Sequence, residues 1–130
     1  MNPGPFLQLD RVIHEKGRLA IMSLLAASPQ LSFTEMRDTL NMTDGNITAH
    51  IRTLQEAGYV SVTKEFQGSR PLTTFALTGR GRKAFTTYIN LLEQIVAQTK
   101  SVGPARSDTL QYKAEKNSEL NRLEKRPQEV

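Results

Sequence analysis

The stretch from Ser32 to Ala57, SFTEMRDTLNMTDGNITAHIRTLQEA, constrains the fold more than any other part of the chain. Ser32 stands three residues before Glu35, the spacing of a capping box, in which a hydroxyl and a carboxylate satisfy free amides at a helix start. Leu31 and Met36 fall at the positions of a hydrophobic staple. A first helix is therefore expected to run through Met36 and Leu40. Asn41 and Met42 make the turn, and Thr43 opens a second helix as its N-cap. Met42 and Ile47 repeat the staple spacing. Ile47, Ile51 and Leu54 then recur at i, i+4 and i+7, which is one buried stripe. Asn46, Thr48, Ala49, Arg52 and Thr53 are left mostly on the other side, a short polar face with little acid.

The residues after Leu54 add a second element. Gly58 ends the helix within EAGYV, and SVTKEF and LTTFAL read as two strands around a Gly-Ser-Arg-Pro turn. Val60 and Val62 face one side of the first strand, Tyr59, Ser61 and Thr63 the other. The first strand is expected over Tyr59–Phe66 and its return over Leu72–Leu77, with Gln67, Gly68, Ser69 and Arg70 as the tip. In an arbitrary hairpin such a basic tip is a solvated turn. Directly after two capped helices it reads instead as a wing laid along a phosphate backbone, with Arg70 and Lys64 as the charges.

Helix, turn, helix and hairpin together resemble the winged helix-turn-helix DNA-binding domains of prokaryotic transcriptional regulators, the superfamily of the MarR-like and ArsR-like repressors. The resemblance runs from about Leu9 to Ala97. It is carried by Arg18-Leu19 with Leu24-Leu25, by Ser32-Phe33-Thr34-Glu35, and by the run Thr43 to Ile51. Leu54, Ala57-Gly58-Tyr59-Val60, and Leu77-Thr78 with Gly81-Arg82 complete it. It implies a mainly α fold with a small β-hairpin wing, and a partner in double-stranded DNA. The second helix becomes a reader whose N-terminal residues lie on base edges in the major groove. Thr43, Gly45, Asn46, Thr48, Ala49, His50, Arg52 and Thr53 are its candidate contacts, and Lys64, Gln67, Ser69 and Arg70 those of the wing. Gly45 lets backbone approach a phosphate, which the helix N-terminus also favours.

Composition sets wider bounds. At 130 residues there is room for one domain and a tail. A net charge of +4 with a pI near 9.6 suits a polyanionic partner, though modestly. Cysteine is absent, which removes disulfides, thiolate metal sites and cysteine nucleophiles together. No apolar run approaches the roughly 18 residues of a membrane span, and Met1 to Pro5 lacks the regions of a signal peptide. A cytoplasmic location is expected.

Four segments are read along the chain. Residues 1–9 form an N-terminal arm: Met1 to Pro5 is a flexible start, while Phe6, Leu7 and Leu9 are more apolar than a free arm needs and are expected to pack on something. Residues 10–78 form the winged helix-turn-helix domain. There Asp10 caps a short helix with Val12 and Ile13 that breaks near Gly17, and a scaffold helix with Leu19, Ile21, Met22, Leu24 and Leu25 ends at Ser28-Pro29. Residues 79–99 form a long C-terminal helix capped by Thr78. Arg80, Arg82 and Lys83 in its first turn oppose the helix dipole. Six residues of return strand carry them roughly 20 Å from the wing tip, so DNA contact there is disfavoured. Apolar residues from Ala84 to Val96 cover more than half of this helix, more than one small domain can bury. A copy of the same helix is the economical partner for the surplus, and the family resemblance implies dimerisation too. Phe6, Leu7, Leu9, Phe85, Tyr88, Ile89, Leu92, Ile95 and Val96 are the expected homodimer interface. Residues 100–130 form a charged tail in which basic and acidic residues nearly balance and the apolar spacing is broken, so it is expected to be flexible.

Other chemistry is poorly supported. His14 and His50 are the only histidines, too few for a metal cluster, and no metal or cofactor is expected. His50 reads equally well as a phosphate or base contact and as a packing residue between helices. No nucleophile elbow, phosphate-binding loop or paired carboxylates appear, so no enzyme is expected. The rival function is a protein-binding winged helix without DNA readout. Such a module would carry apolar residues on the exposed helix face, where this chain has Asn46, Thr48 and Arg52. A small-molecule effector is compatible with the DNA reading, but no converging polar set marks its pocket.

Overall fold

In a computed structural model of the chain, which describes residues 3–101, Asn41 is the one residue other than glycine with positive φ, at 53°. It sits in the left-handed region at the end of α3 (Phe33–Leu40). Its amide and that of Met42 both donate to the Arg37 carbonyl, so the helix stops and the chain reverses. Ahead of it, Ser32 and Glu35 form the reciprocal capping box. After it, Thr43 accepts from the Asn46 amide and opens α4 (Asp44–Glu56). This helix ends at Gly58, φ 82°, where the Tyr59 amide donates to the Leu54 carbonyl.

The remaining elements are α1 (Gly4–Leu7), α2 (Lys16–Ala27), β1 (Leu31–Ser32), β2 (Val60–Gln67), β3 (Arg70–Leu77) and α5 (Gly79–Ser101). The architecture is mostly helical with a small antiparallel sheet in the order β1-β3-β2. Strands β2 and β3 pair from Val60↔Leu77 out to Gln67↔Arg70. Only Gly68 and Ser69 remain at the tip, shorter than the expected four residues. Gly68 takes φ 69° at the first central position, as a type II′ hairpin turn requires. Strand β1 was not legible in the sequence. Two residues carry no period, and Leu31↔Phe75 and Ser32↔Thr74 form a ladder only because β3 passes alongside.

Two further expectations are corrected. The start of the chain is not wholly irregular, because Gly4–Leu7 forms a helical turn with Pro5 buried. Residues 10–14 form a capped turn rather than a helix. The Asp10 carboxylate accepts from the Val12 and Ile13 amides at 2.8 and 3.3 Å, and the helix proper starts at Lys16, so Gly17 lies inside α2 instead of breaking it.

Ile21, Met22 and Leu25 of α2, Met36 of α3, and Ile47 and Leu54 of α4 are completely buried. Each such side chain contributes about 1.5–3 kcal/mol over its exposed state. Val60 and Phe75 close the core from the sheet, Ile13 from the first turn, and Tyr88 and Leu91 from α5. Contacts group the described residues up to Val96 as one compact unit. The tail expected over 100–130 lies almost entirely outside the described residues.

Where α5 begins, Thr78 Oγ1 accepts from the Gly81 amide at 2.9 Å and donates to the Gly58 carbonyl at 2.6 Å. Gly81 is buried against the Tyr59 backbone, and a Cβ there would stand inside the contact distance of the Tyr59 carbonyl oxygen. At Gly79 the same atom would meet nothing within 4 Å. Gly81→Ala should therefore lower unfolding free energy by about 3 kcal/mol, whereas Gly79→Ala should change it by less than about 1 kcal/mol. Urea titration of the two variants side by side checks both values.

Candidate nucleic-acid interface

The outward face of α4 follows from its inward one. With Ile47, Ile51 and Leu54 in the core, helical geometry turns Gly45, Asn46, Thr48, Ala49 and Arg52 to solvent, and all five are exposed. Thr53 is half-buried at the edge of this face. Thr48 Oγ1 donates to the Asp44 carbonyl at 2.8 Å and Thr53 Oγ1 to the Ala49 carbonyl at 3.2 Å. Their protons are thus engaged, which leaves the two hydroxyls as acceptors. Thr43 is exposed at the cap. Asp44 sits in the first turn, where its charge suits the dipole, and pairs with Arg37 at 3.1 Å.

His50 does not belong to this face. It is half-buried between α4 and the start of α2, and a Cβ on Gly17 would stand 2.5 Å from its Nε2. Its Nδ1 lies 3.6 Å from Glu15. The ring thus packs against the start of α2 while keeping about a quarter of its side chain in solvent (24%). Glu15 is the N-cap of α2 and accepts from the Gly17 and Arg18 amides at 2.7 and 3.0 Å. Burial alone would raise its carboxyl pKa. The two amides, with the charges of His50 and Arg18, outweigh that and hold it below the usual value.

The hairpin stands beside α4 and leaves an open groove of about 630 Å³ between them. Phe33, Ile51, Val62 and Phe75 form its apolar floor, and Thr48, Arg52, Gln55, Lys64 and Thr73 its polar rim. Of the expected contacts, Thr48, Arg52 and Lys64 are thus brought to one groove. Gln67, Ser69 and Arg70 are exposed at the hairpin's outer end. Gln55 and Thr73 were missed by sequence reasoning. Gln55 lies one turn beyond Arg52 and could have been found by helical spacing. Thr73 could not, since it joins the rim only through its pairing with Lys64.

The basic first turn of α5 is elsewhere. Arg80 lies over Gly58, and with Lys83 it lines a separate cleft with Asp10, Tyr59 and Tyr88. In that cleft Tyr59 donates a short hydrogen bond to Asp10. Burial, then this bond and the Asp10 charge, push the Tyr59 pKa up to about 12, with Arg80 opposing.

The interface expected between two copies is partly used within one. Leu9 and Tyr88 are buried in the chain's own core at 8% and 1% exposure, and Tyr88 bonds His14 Nδ1 at 2.7 Å. Neither has surface to offer a partner. Phe85, Ile89, Leu92 and Ile95 are half-buried and pack in part on the core. Phe6, Leu7 and Val96 are exposed.

Capped helices crossing through an αL turn, with a hairpin against the second, define a winged helix-turn-helix. The chain belongs to the winged helix DNA-binding domain family, whose model matches residues 18–96. It is 32% identical over 85 residues to the uncharacterized protein MJ0432 of Methanocaldococcus jannaschii, a match spanning 65% of this chain and 92% of that one. A transcriptional regulator homologue from Pyrococcus horikoshii OT3 superposes with a TM-score of 0.70 at 24% identity, covering 76% of this chain and 98% of its own. The MarR family transcription regulator SP03579 gives 0.62 at 20% identity, covering 87% and 73%. Both structures share the fold. No helix among the described residues is long and apolar enough to cross a membrane.

The lowered Glu15 carboxyl carries a pH dependence. A depressed folded-state pKa contributes stability above the unfolded value, and this is lost as pH falls through the folded one. Glu15→Ala should cost about 1 kcal/mol near neutrality, as other lost N-caps do. The gap from the parent should narrow as the carboxyl protonates in acid. Thermal melts of both proteins between neutral pH and mildly acidic pH measure it.

Proposed function

We propose that this protein is a sequence-specific regulator of transcription that binds double-stranded DNA as a homodimer. The observation that carries the reading is the shared surface of α4 and the hairpin. An exposed, polar helix face with almost no large side chains lies beside a groove rimmed by Arg52 and Lys64, with Arg70 at the hairpin's end. In this reading Asn46, Thr48 and Ala49 lie nearest base edges in the major groove, with Thr53 at the margin. Arg52, Lys64, Gln67, Ser69 and Arg70 lie along phosphates, and Thr43 and Gly45 bring the helix N-terminus to one of them. A module built to dock protein would instead present apolar residues on α4, and among the described residues the large exposed hydrophobics all lie elsewhere.

The homodimer rests on α5 and the arm. Phe85, Ile89, Leu92 and Val96 recur at i, i+4, i+7 and i+11, a stripe beside the core-facing Tyr88 and Leu91. Phe6 at 58% and Leu7 at 76% exposure add apolar surface in the arm. Pairing two copies places two readers on successive major grooves about 34–36 Å apart.

Selection of bound sequences from random DNA, followed by footprinting, tests function and stoichiometry together, and a two-fold site is the expected result. On that site Asn46→Ala with Thr48→Ala should lose about 1–3 kcal/mol of discrimination per contact against scrambled DNA. Arg70→Ala should weaken all DNA alike and lower the slope of log K against log salt by about 1. Equal binding of selected and scrambled DNA by the parent would overturn the reading.

Association is measured separately. Leu92→Glu should sediment as a folded monomer, with circular dichroism confirming its helix content. A parent that stays monomeric at micromolar concentration, with and without its site, would overturn the dimer.

A further inference from the structure

The groove between α4 and the hairpin has two kinds of surface, and phosphates answer only one of them. Its rim is cationic. Arg52 of α4 and Lys64 of β2 are both exposed, and neither forms an ion pair among the described residues. No carboxylate lines the groove. Gln55 and Thr73 stand on the same two walls, and their side chains make no hydrogen bond among the described residues. The floor is apolar, with Phe33 and Val62 left half-buried on it. A phosphodiester strand engages cations and hydrogen-bond donors. Laid on an apolar floor it would lose water and gain nothing in return. At about 630 Å³ the groove has the size of pockets that take small organic ligands.

We propose that this groove binds a small organic anion with an apolar body, and that the bound anion excludes DNA by occupying the same cations. Exclusion of DNA rests on the reading above, whereas binding of the anion stands on the groove itself. The body lies on Phe33 and Val62, and the acidic head faces Arg52 and Lys64. Gln55 and Thr73 donate to its remaining lone pairs. Charge and surface together choose this occupant. A neutral apolar molecule would leave both cations unanswered. A small inorganic anion would leave the floor wet. No movement of the fold is needed, because ligand and phosphates compete for the same two side chains.

Four compounds separate body from charge: naphthalene-2-carboxylate, octanoate, naphthalene-2-methanol and acetate. Each is titrated calorimetrically into the full chain without DNA, then into its complex with the selected site. At least one of the two larger acids should bind, and the tighter of them identifies the ligand as a ring or a chain acid. The alcohol and acetate should each bind at least about tenfold more weakly, one lacking the charge-assisted bonds and the other the apolar area. With the acid present, the apparent Kd for DNA should rise in proportion to its concentration without a plateau. Coupling from a separate site has a finite size and would level off.

Two variants locate the site at residues with no assigned part in DNA binding. Thr73→Tyr places a strand-compatible ring in the groove and should weaken the acid about tenfold. Gln55→Ala removes one donor from an exposed helix position and should weaken it about threefold. Both should keep the parent's affinity for the selected site. The second variant decides the matter if circular dichroism shows that the first does not fold.

Failure of both larger acids to bind at millimolar concentration overturns the ligand site and leaves the DNA reading standing. Release that reaches a plateau, or that neither variant changes, overturns it as well. Loss of self-association in a folded Thr73→Tyr chain would assign the groove to a contact between copies and overturn it too. A parent that selects no DNA site overturns the DNA reading and the exclusion with it, and titration of the free chain then judges the groove alone.

Discussion

Everything that reaches solvent on α4 depends on how closely that helix approaches the start of α2. Gly17 leaves room for the His50 ring, and Glu15 both caps α2 and faces the imidazole. Packed interiors tolerate little change in volume. The rotation of α4 about its own axis is accordingly set from behind, by Gly17 and His50 together with Ile47, Ile51 and Leu54.

The hairpin is held by a second close approach. Gly81 lets the first turn of α5 lie on the Tyr59 backbone, and Thr78 ties the same place to Gly58. The base of the hairpin and the end of α4 are therefore joined at one point. From there the β2–β3 ladder runs unbroken to Gln67↔Arg70, so Lys64 and Phe66 are carried outward on a regular strand. The short β1 strand braces β3 at Phe75 and Thr74, and Phe33 packs near Phe75 with ring centroids 6.1 Å apart. The hairpin is braced at its root and open at its end.

Helix α5 is covered unevenly by the core. Its Tyr88 and Leu91 complete the core of the single chain, and Phe85, Ile89 and Leu92 are only half-covered by it. The apolar surplus read from the sequence is real but smaller than counting residues suggests, because a helix lying on a domain buries more than one stripe. In the proposed homodimer this helix would therefore offer less area than a free amphipathic helix, and the exposed arm residues Phe6 and Leu7 would matter correspondingly more.

Local chemistry made much of this legible in the sequence. A capping box, two N-caps, a glycine stop and a 3.6-residue stripe act within a few residues of themselves. Ser32, Glu35, Thr43, Gly58 and the Ile47–Leu54 stripe therefore mark the two helices and their turn through neighbours in the chain alone. The hairpin followed from alternation and a Gly-containing turn. What tertiary structure alone decided are contacts between residues distant in the chain. Strand β1 exists because β3 passes beside Leu31. His50 is half-buried against α2 because Gly17, thirty-three positions earlier, lacks a side chain. Tyr88 and Leu9 belong to the core because α5 folds back over residues 9–14. Lys64 and Arg52 rim one groove because a strand and a helix that share no period meet at Gly58. Periodicity states which side of an element is apolar; only packing states what covers it.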